Sequence, residues 1–315
     1  MATSGSTNYT QTVETVIRDA LFKCEALEEG EAITGEHTTS ALRQLNRIIK
    51  RWNARQMRWA RREAVLFLNA NQQVYDIPGD NCGINKFGYT RLDGAHSTND
   101  TVLTVDSTAP TFPMLAMASS ANIGIELSDG TRYWTTISSV GSSTSVTIAS
   151  GLTGDAADDA TVFWYTTEIE RPVRIFNARR GPYSGSEVPI DMVARDEYVN
   201  QPNKTSSSIP VLAHYHPDIT TGKLYVWPTS STCQNVLRFS YQRTIEDADS
   251  VSNNLDMPEE AIDALVYELA AMLAPEYQLP MEKRVMLKEE AAQLLDELDS
   301  FDEDDTYIQL VPRHG

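Results

Sequence analysis

His214 and His216 stand two residues apart in a β-rich stretch, so both rings fall on one strand face, a spacing two metal ligands can use. No third ligand adjoins them and Pro217 ends the strand, so ordinary, partly exposed histidines account for the pair. Cys24, Cys82 and Cys233 are far apart and lack CxxC spacing. They imply neither a disulfide framework nor a zinc site, but small buried thiols in a reducing compartment. Carboxylates are so abundant that some pair must fall at glycosidase separation, yet nothing singles out two of them. The run Asp302–Asp305 lacks the glycine and the spaced ligands of a calcium loop and reads as a solvated tail. There is no Gly-rich phosphate loop, GxSxG elbow, HExxH pair or zinc-ribbon spacing. The expectation is a protein that is not an enzyme, with no catalytic residue, metal or cofactor.

The strongest pattern is charge. The 315 residues carry a net −18, which disfavours general nucleic-acid binding. Between Ala41 and Arg62 lie Arg43, Arg47, Lys50, Arg51, Arg55, Arg58, Arg61 and Arg62 and no acid. Between Glu246 and Asp305 lie nineteen acids against Lys283, Arg284 and Lys288. A basic helix beside an acidic one points to contacts between proteins, within or between subunits. The rival reading is that residues 41–62 contact DNA phosphates; the bland one is a solvated face.

These charges need elements to carry them. Val13, Val16, Ile17, Ala20, Leu21, Cys24 and Leu27 recur at helical spacing, with Gly30 as a stop. A second helix, capped by Thr38, Thr39 or Ser40, is predicted to run to Arg62 with Leu42, Leu45, Ile48, Ile49, Trp52 and Trp59 on one face. From Glu63 the period becomes two. Ala64–Leu68 and Gln73–Ile77 read as paired strands, and Thr101–Val105, Ile123–Leu127, Arg132–Val140, Val146–Ala149 and Val162–Tyr165 as a small β-sandwich inserted in the host. Asp129–Gly130 is a hairpin turn. The host strands resume at Val173–Ala178, Val211–Tyr215, Lys223–Trp227 and Val236–Tyr241, with Asp218–Gly222 and Thr229–Gln234 as hairpin connections. Met257–Pro258–Glu259 opens a helix, Pro275 and Pro280 break it, and a last helix is striped by Met286, Leu287, Ala291, Leu294, Leu295 and Leu298.

The fold class expected is therefore α+β. Terminal helices form a helical layer around an antiparallel β core, with an inserted small β-sandwich and an extended C-terminal arm. The expected divisions are N-terminal helices 1–62, β core 63–92, insertion 93–167, β core 168–250, C-terminal helices 251–300 and arm 301–315. Residues 1–12 are polar, so no signal peptide is expected, and no run is apolar enough to suggest a membrane span.

The order of segments resembles a known family. The pieces are Ala41-Leu-Arg-Gln-Leu-Asn-Arg-Ile-Ile-Lys-Arg-Trp52, then a hairpin from Val65 to Pro78, then Arg171-Pro-Val-Arg-Ile-Phe-Asn-Ala-Arg-Arg180. Val188-Pro-Ile, Arg195-Asp-Glu-Tyr198, Pro202-Asn-Lys-Thr205, Leu224-Tyr-Val-Trp-Pro228 and Tyr241-Gln-Arg-Thr-Ile-Glu-Asp247 follow. Pro258-Glu-Glu-Ala-Ile-Asp-Ala-Leu-Val-Tyr-Glu-Leu-Ala270 and Leu273-Ala-Pro-Glu-Tyr277 complete the set. Across residues 12–298, apart from much of the insertion, it resembles the head-to-tail adaptor, or tail accessory factor, of short-tailed bacteriophages.

The resemblance implies a virion protein at the head–tail junction, assembled in the host cytoplasm as a homo-oligomeric ring of twelve beneath the portal protein. It implies a tail hub or nozzle as second partner and genomic DNA passing through the bore without tight binding. Thr306, Tyr307, Ile308, Gln309, Leu310, Val311, Pro312 and Arg313 would contact the portal. Arg43, Arg47, Arg51, Arg55, Arg58, Trp52 and Trp59 would lie at subunit interfaces. The insertion would lie toward the tail or periphery. Twelve copies would carry about −216, a field that keeps DNA from adhering to the bore. A tail-borne peptidoglycan hydrolase is the remaining alternative, beside a DNA-binding protein using residues 41–62.

Overall fold

The computed structural model describes residues 10–28, 30–55, 57–84, 86–109, 115–183 and 185–301. Within these the chain forms two compact units, one drawn from residues 1–60 and 245–315, the other from 61–244. Its α-helices are α1 (Val13–Lys23), α2 (Gly35–Trp52), α3 (Arg195–Val199), α4 (Ile262–Leu273) and α5 (Met281–Phe301).

The first unit is helical and takes α1, α2, α4 and α5 from both ends of the described chain. The two stretches are stitched by backbone: Thr12 bridges Asn254, Val13 N–H donates to Asn253 O and Glu14 N–H to Val251 O, each at 2.9 Å. Thr12 caps α1, its hydroxyl accepting from Thr15 N–H at 3.3 Å. Thr34, rather than Thr38, Thr39 or Ser40, caps α2 in the same way. Val16, Ile17 and Leu21 of α1 and Leu45, Ile48, Ile49 and Trp52 of α2 pack with Leu265, Leu269 and Leu273 of α4. Leu287, Leu295 and Leu298 add the inner stripe of α5. This is the helical layer that the apolar periodicity of the two ends predicts.

The basic helix is shorter than expected. It stops at Trp52; one 3-10 turn, Arg58–Ala60, follows, and strand begins at Arg61. Arg61 and Arg62 are held by antiparallel pairing to Gln242 and Tyr241, so long-range sheet pairing overrides the local helical pattern.

The second unit is β-rich. Its strands are β1 (Arg61–Phe67), β2 (Val74–Ile77), β3 (Cys82–Ile84), β4 (Phe87–Arg91), β5 (Val102–Thr104), β6 (Asn122–Glu126), β7 (Arg132–Ser142) and β8 (Ser145–Ile148). They continue as β9 (Thr161–Tyr165), β10 (Arg174–Pro182), β11 (Val188–Met192), β12 (Ser207–Ser208), β13 (Leu212–His216), β14 (Gly222–Trp227), β15 (Thr229–Ser230) and β16 (Asn235–Gln242). Eight strands form one sheet in the order β2-β14-β13-β11-β10-β16-β1-β3, antiparallel except for β11 beside β13. Laid flat, its edges would be about 34 Å apart. Yet β2 and β3 are those edges, and the five steps from Ile77 to Cys82 span at most about 18 Å. The sheet therefore curls upon itself. Leu66, Tyr75, Ile77, Leu224, Val226, Leu237, Phe239 and Tyr241 fill its core.

Two local readings are corrected here. Residues 65–78 are not a hairpin: β1 pairs with β16 and β3, while β2 pairs with β14. Thr229–Gln234 is likewise no hairpin connection, because β14 and β16 belong to different pairs in the sheet. Residues 217–221 do join an antiparallel pair, β13 and β14.

The inserted β unit is present, as six antiparallel strands in the order β4-β9-β6-β7-β8-β5. A Leu92–Val105 bridge, with Asp93 N–H to Thr104 O and Asp106 N–H to Arg91 O at 3.0 Å, joins first strand to last. Its two layers are thus continuous around one core of Leu92, Leu103, Ile123, Ile125, Ile137, Val146, Ile148, Val162 and Trp164. Phe87–Arg91, grouped with the host strands in the sequence, pairs here with β9. Asp129–Gly130 forms the expected turn, Gly130 at φ +80° and the Asp129 carboxylate accepting from Thr131 N–H at 2.8 Å.

Candidate functional site

The basic face of α2 is where the charge pattern predicts function. Ala41, Gln44, Leu45, Ile48, Ile49 and Trp52 are buried on one side of the helix. Arg43, Arg47, Lys50 and Arg51 are exposed on the adjoining arc, three or four residues apart, so their side chains form one row.

Two of these four, and Arg55 beyond them, are matched within the helical unit. Lys50 Nζ lies 2.5 Å from Asp247 Oδ1, Arg51 Nη2 2.8 Å from Glu268 Oε1, and Arg55 Nη1 2.8 Å from Asp299 Oδ2. Neutral bonds extend the latch. Asn46 exchanges two hydrogen bonds with the Ala248 backbone, both at 2.9 Å, and Asn53 Oδ1 accepts from Ile245 N–H at 2.8 Å. Ser40 Oγ and Gln44 Nε2 donate to Glu276 at 2.5 and 2.8 Å, holding that carboxyl below its ordinary value. Of the two arrangements open at the sequence level, the basic helix lies against the acidic helices of its own chain. Pairs this exposed contribute little each, about 0–1 kcal/mol, and act chiefly by fixing geometry.

Trp52, expected at a subunit interface, is 1% exposed in the core of its own unit, and its Nε1 donates to Glu268 Oε2 at 2.7 Å. Trp59 is half-buried against the same core. Arg58 sits in the 3-10 turn, and its side chain lies outside the described residues. Thr306, Tyr307, Ile308, Gln309, Leu310, Val311, Pro312 and Arg313 also lie outside them. Arg43 and Arg47 remain. Among the described residues neither has a carboxylate within salt-bridge distance, although Arg47 donates to Gln44 Oε1 at 3.1 Å. With Asn46, Lys50, Arg51 and Met272 they line a shallow groove, and Arg51 Nη2 lies 2.9 Å from the Met272 sulfur at its floor.

The other candidates assemble no chemistry. His214 is buried, its Nδ1 3.0 Å from Val193 O and its ring packed near Tyr198 and Tyr225. Among the described residues no group of three His, Cys, Asp or Glu side chains could hold a metal ion. Burial raises the carboxyls of Asp19 and Glu168, but these belong to different units and neither lines the groove. No helix among the described residues is long and apolar enough to cross a membrane.

Sequence reasoning missed Ser40, Gln44, Asn46, Glu268 and Glu276 as the residues that hold the basic helix. Gln44 carried a signal, since a polar side chain beside Leu45 and Ile48 on the buried arc must find a partner; nothing local named Glu276.

No family model matches the chain. No curated protein matches it either. Among solved structures, it is similar to VP17, a capsid protein of bacteriophage P23-77, at 12% identity over 60% of this chain and 76% of that one, with a TM-score of 0.15. It is also similar to the complex of VP16 and VP17, the two major capsid proteins of that phage, at 10% identity over 57% and 81%, again with a TM-score of 0.15. Likeness at that level supports no functional statement by itself.

Proposed function

We propose that this chain is a non-enzymatic structural subunit of a phage virion, and within the virion a head-to-tail adaptor. The observation that carries the reading is the joining of the two ends of the described chain into one helical unit, with all the β structure as a single excursion between Arg61 and Thr244. The segments that resemble the adaptor family occupy both parts. In this reading twelve copies form a ring beneath the portal, residues 306–313 contact the portal, a tail hub or nozzle binds the opposite side, and the genome passes through the bore. Met281, Val285 and Met286 leave exposed apolar surface on α5, which suits a helical unit that docks on protein. The rival reading of residues 41–62 as a DNA-binding helix is weakened, since Lys50, Arg51 and Arg55 already hold carboxylates of their own chain.

The test is the mass of the purified protein, alone and mixed with the portal protein of the same phage, by light scattering. The full chain is expected to join the portal in a ring-sized complex, and a variant lacking residues 306–315 to stay folded and fail to join. Undiminished binding by that variant overturns the arm assignment, and absence of any complex with the full chain overturns the adaptor reading.

A further inference from the structure

We infer that in the free protein the solvent face of α5 is covered by a second copy of the same helix, packed antiparallel about a two-fold axis between Lys288 and Glu289. The face begins with two apolar side chains that the helical unit leaves in water, Met281 at 70% and Val285 at 40% exposure. Leu287, Ala291, Leu295 and Leu298 take the buried side of the helix. Met281, Val285, Lys288, Glu289, Ala292 and Asp296 are all exposed and, at 3.6 residues per turn, share one arc of about 100°.

Charge selects the occupant. Glu282, Lys283, Arg284 and Lys288 give the first eight residues of α5 three cations to one acid. Glu289, Glu290, Asp296, Glu297 and Asp299 make the remainder wholly acidic. Parallel pairing would set acid on acid. Antiparallel pairing sets the basic half of each copy on the acidic half of the other, as it must in a chain of net −18 whose copies otherwise repel. An unrelated acidic partner would suit the basic half alone. A helix of reversed polarity suits both halves, and a second α5 run antiparallel has that polarity.

The register follows from the symmetry. In a two-fold pair, each contact from one residue to another is made twice, once from each copy. With the axis between residues 288 and 289, Lys288 meets Glu289 of the second copy. Val285 meets Ala292, whose small side chain allows close approach. Asp296 reaches the amino end of the other helix beside Met281, where the helix dipole favours an anion. One helix pair is small against the roughly 1,200 Å² of a stable complex, so it forms at high concentration and parts readily. The consequence is that apolar surface on α5 stays out of water until another partner displaces the second copy. The inference concerns the isolated protein and does not rest on the adaptor reading.

The experiment is sedimentation equilibrium of the full chain from micromolar to millimolar concentration, with circular dichroism to confirm that each variant is folded. The parent is expected to dimerise. Lys288→Glu and Glu289→Lys each set like charges together twice and should raise the dissociation constant about tenfold or more. The double variant Lys288→Glu/Glu289→Lys should restore it, and the two single variants, mixed in equal amounts, should form a mixed dimer. A constant unchanged in either single variant overturns the proposal. So does a loss that the double variant fails to restore, which would set a different surface against α5. Growth beyond two copies also overturns it, because a two-fold pair is closed. A parent that stays monomeric overturns the pair and leaves the adaptor reading standing, since that is read from the mass with the portal.

Discussion

The indole N–H of Trp52, on α2, donates to a carboxylate oxygen of Glu268, on α4, at 2.7 Å. The second oxygen of that carboxylate accepts from Arg51 at 2.8 Å. One acidic side chain thus receives a buried donor from the apolar face of the helix and an exposed cation from its basic face. The helix is fixed in rotation as well as position, and this sets where Arg43 and Arg47 point.

The two halves of that contact should differ in weight. Trp52→Phe keeps most of the ring but removes a donor to a charged group, an expected loss of about 1.5–3 kcal/mol. Trp52→Ala adds a cavity and should lose about 3–5 kcal/mol. Arg51→Ala removes a half-exposed pair and should lose under about 1 kcal/mol. Urea unfolding of the three variants checks the order; an Arg51→Ala loss larger than that of Trp52→Phe would reverse the assignment of buried and exposed roles.

Glu276 gives the helical unit an acid-sensitive contact. Hydrogen bonds from Ser40 and Gln44 lower its pKa from the ordinary 4.5. A depressed carboxylate contributes stability that is complete above its unfolded value and lost as pH falls through the folded one. The stability difference between parent and Glu276→Gln should therefore be constant above about pH 5 and shrink as the medium is taken below 4.5. Denaturant midpoints from pH 7 to pH 3 read this directly. A difference that instead grows on acidification would contradict the sign.

The thiols should be inert. Cys24 is buried, donates to Ala270 O at 3.1 Å, and is pushed up to about 12 by desolvation. Burial raises Cys82 and Cys233 as well. Since the thiolate is the reactive form, Ellman's reagent at pH 8 should find no fast-reacting thiol in the native chain and three in guanidinium. One rapid native equivalent would show that a core element opens.

What was legible in the sequence was whatever depends on near neighbours. Val13, Val16, Ile17 and Leu21 declare α1, Leu45, Ile48, Ile49 and Trp52 declare α2, and Asp129–Gly130 declares its turn, because each signal lies within one or two turns of chain. Pairing over distance was not legible. Val65–Phe67 and Val74–Ile77 look like a hairpin because they are close in sequence, yet their partners come from β16, β3 and β14. The end of α2 was overrun because residues 53–62 contain neither Gly nor Pro, and only the β1–β16 ladder shows that Arg61 and Arg62 are strand. At the site, the sequence announced both charge blocks but not which acid meets which base, since a helical face does not encode the register of its partner.

The joint between the eight-stranded and six-stranded sheets includes Arg132, which no sequence pattern singled out. It is 6% exposed at the start of β7; Nη2 donates to the Cys233 carbonyl and, at 3.3 Å, to Thr161 Oγ1, while the guanidinium lies 4.6 Å from the Phe163 ring centroid. The adjacent hairpin is tied to the same loop, Cys233 Sγ donating to Gly130 O at 2.8 Å. Space for the arginine is made by Gly124, where a Cβ would stand 2.7 Å from both Arg132 Cδ and the Trp134 ring. Arg132→Met keeps the apolar stem but leaves a buried carbonyl without its donor, at an expected loss of about 1–3 kcal/mol. Arg132→Ala should lose about 3–5 kcal/mol because a cavity is added. Both variants should also admit protease to residues 127–131 before the remainder of either sheet is cut, since they remove one of the two contacts that tie this hairpin to the Cys233 loop. Limited proteolysis with fragment masses checks the order; first cleavage elsewhere would place the joint on the aromatic layer of Phe67, Phe163 and Tyr165 instead.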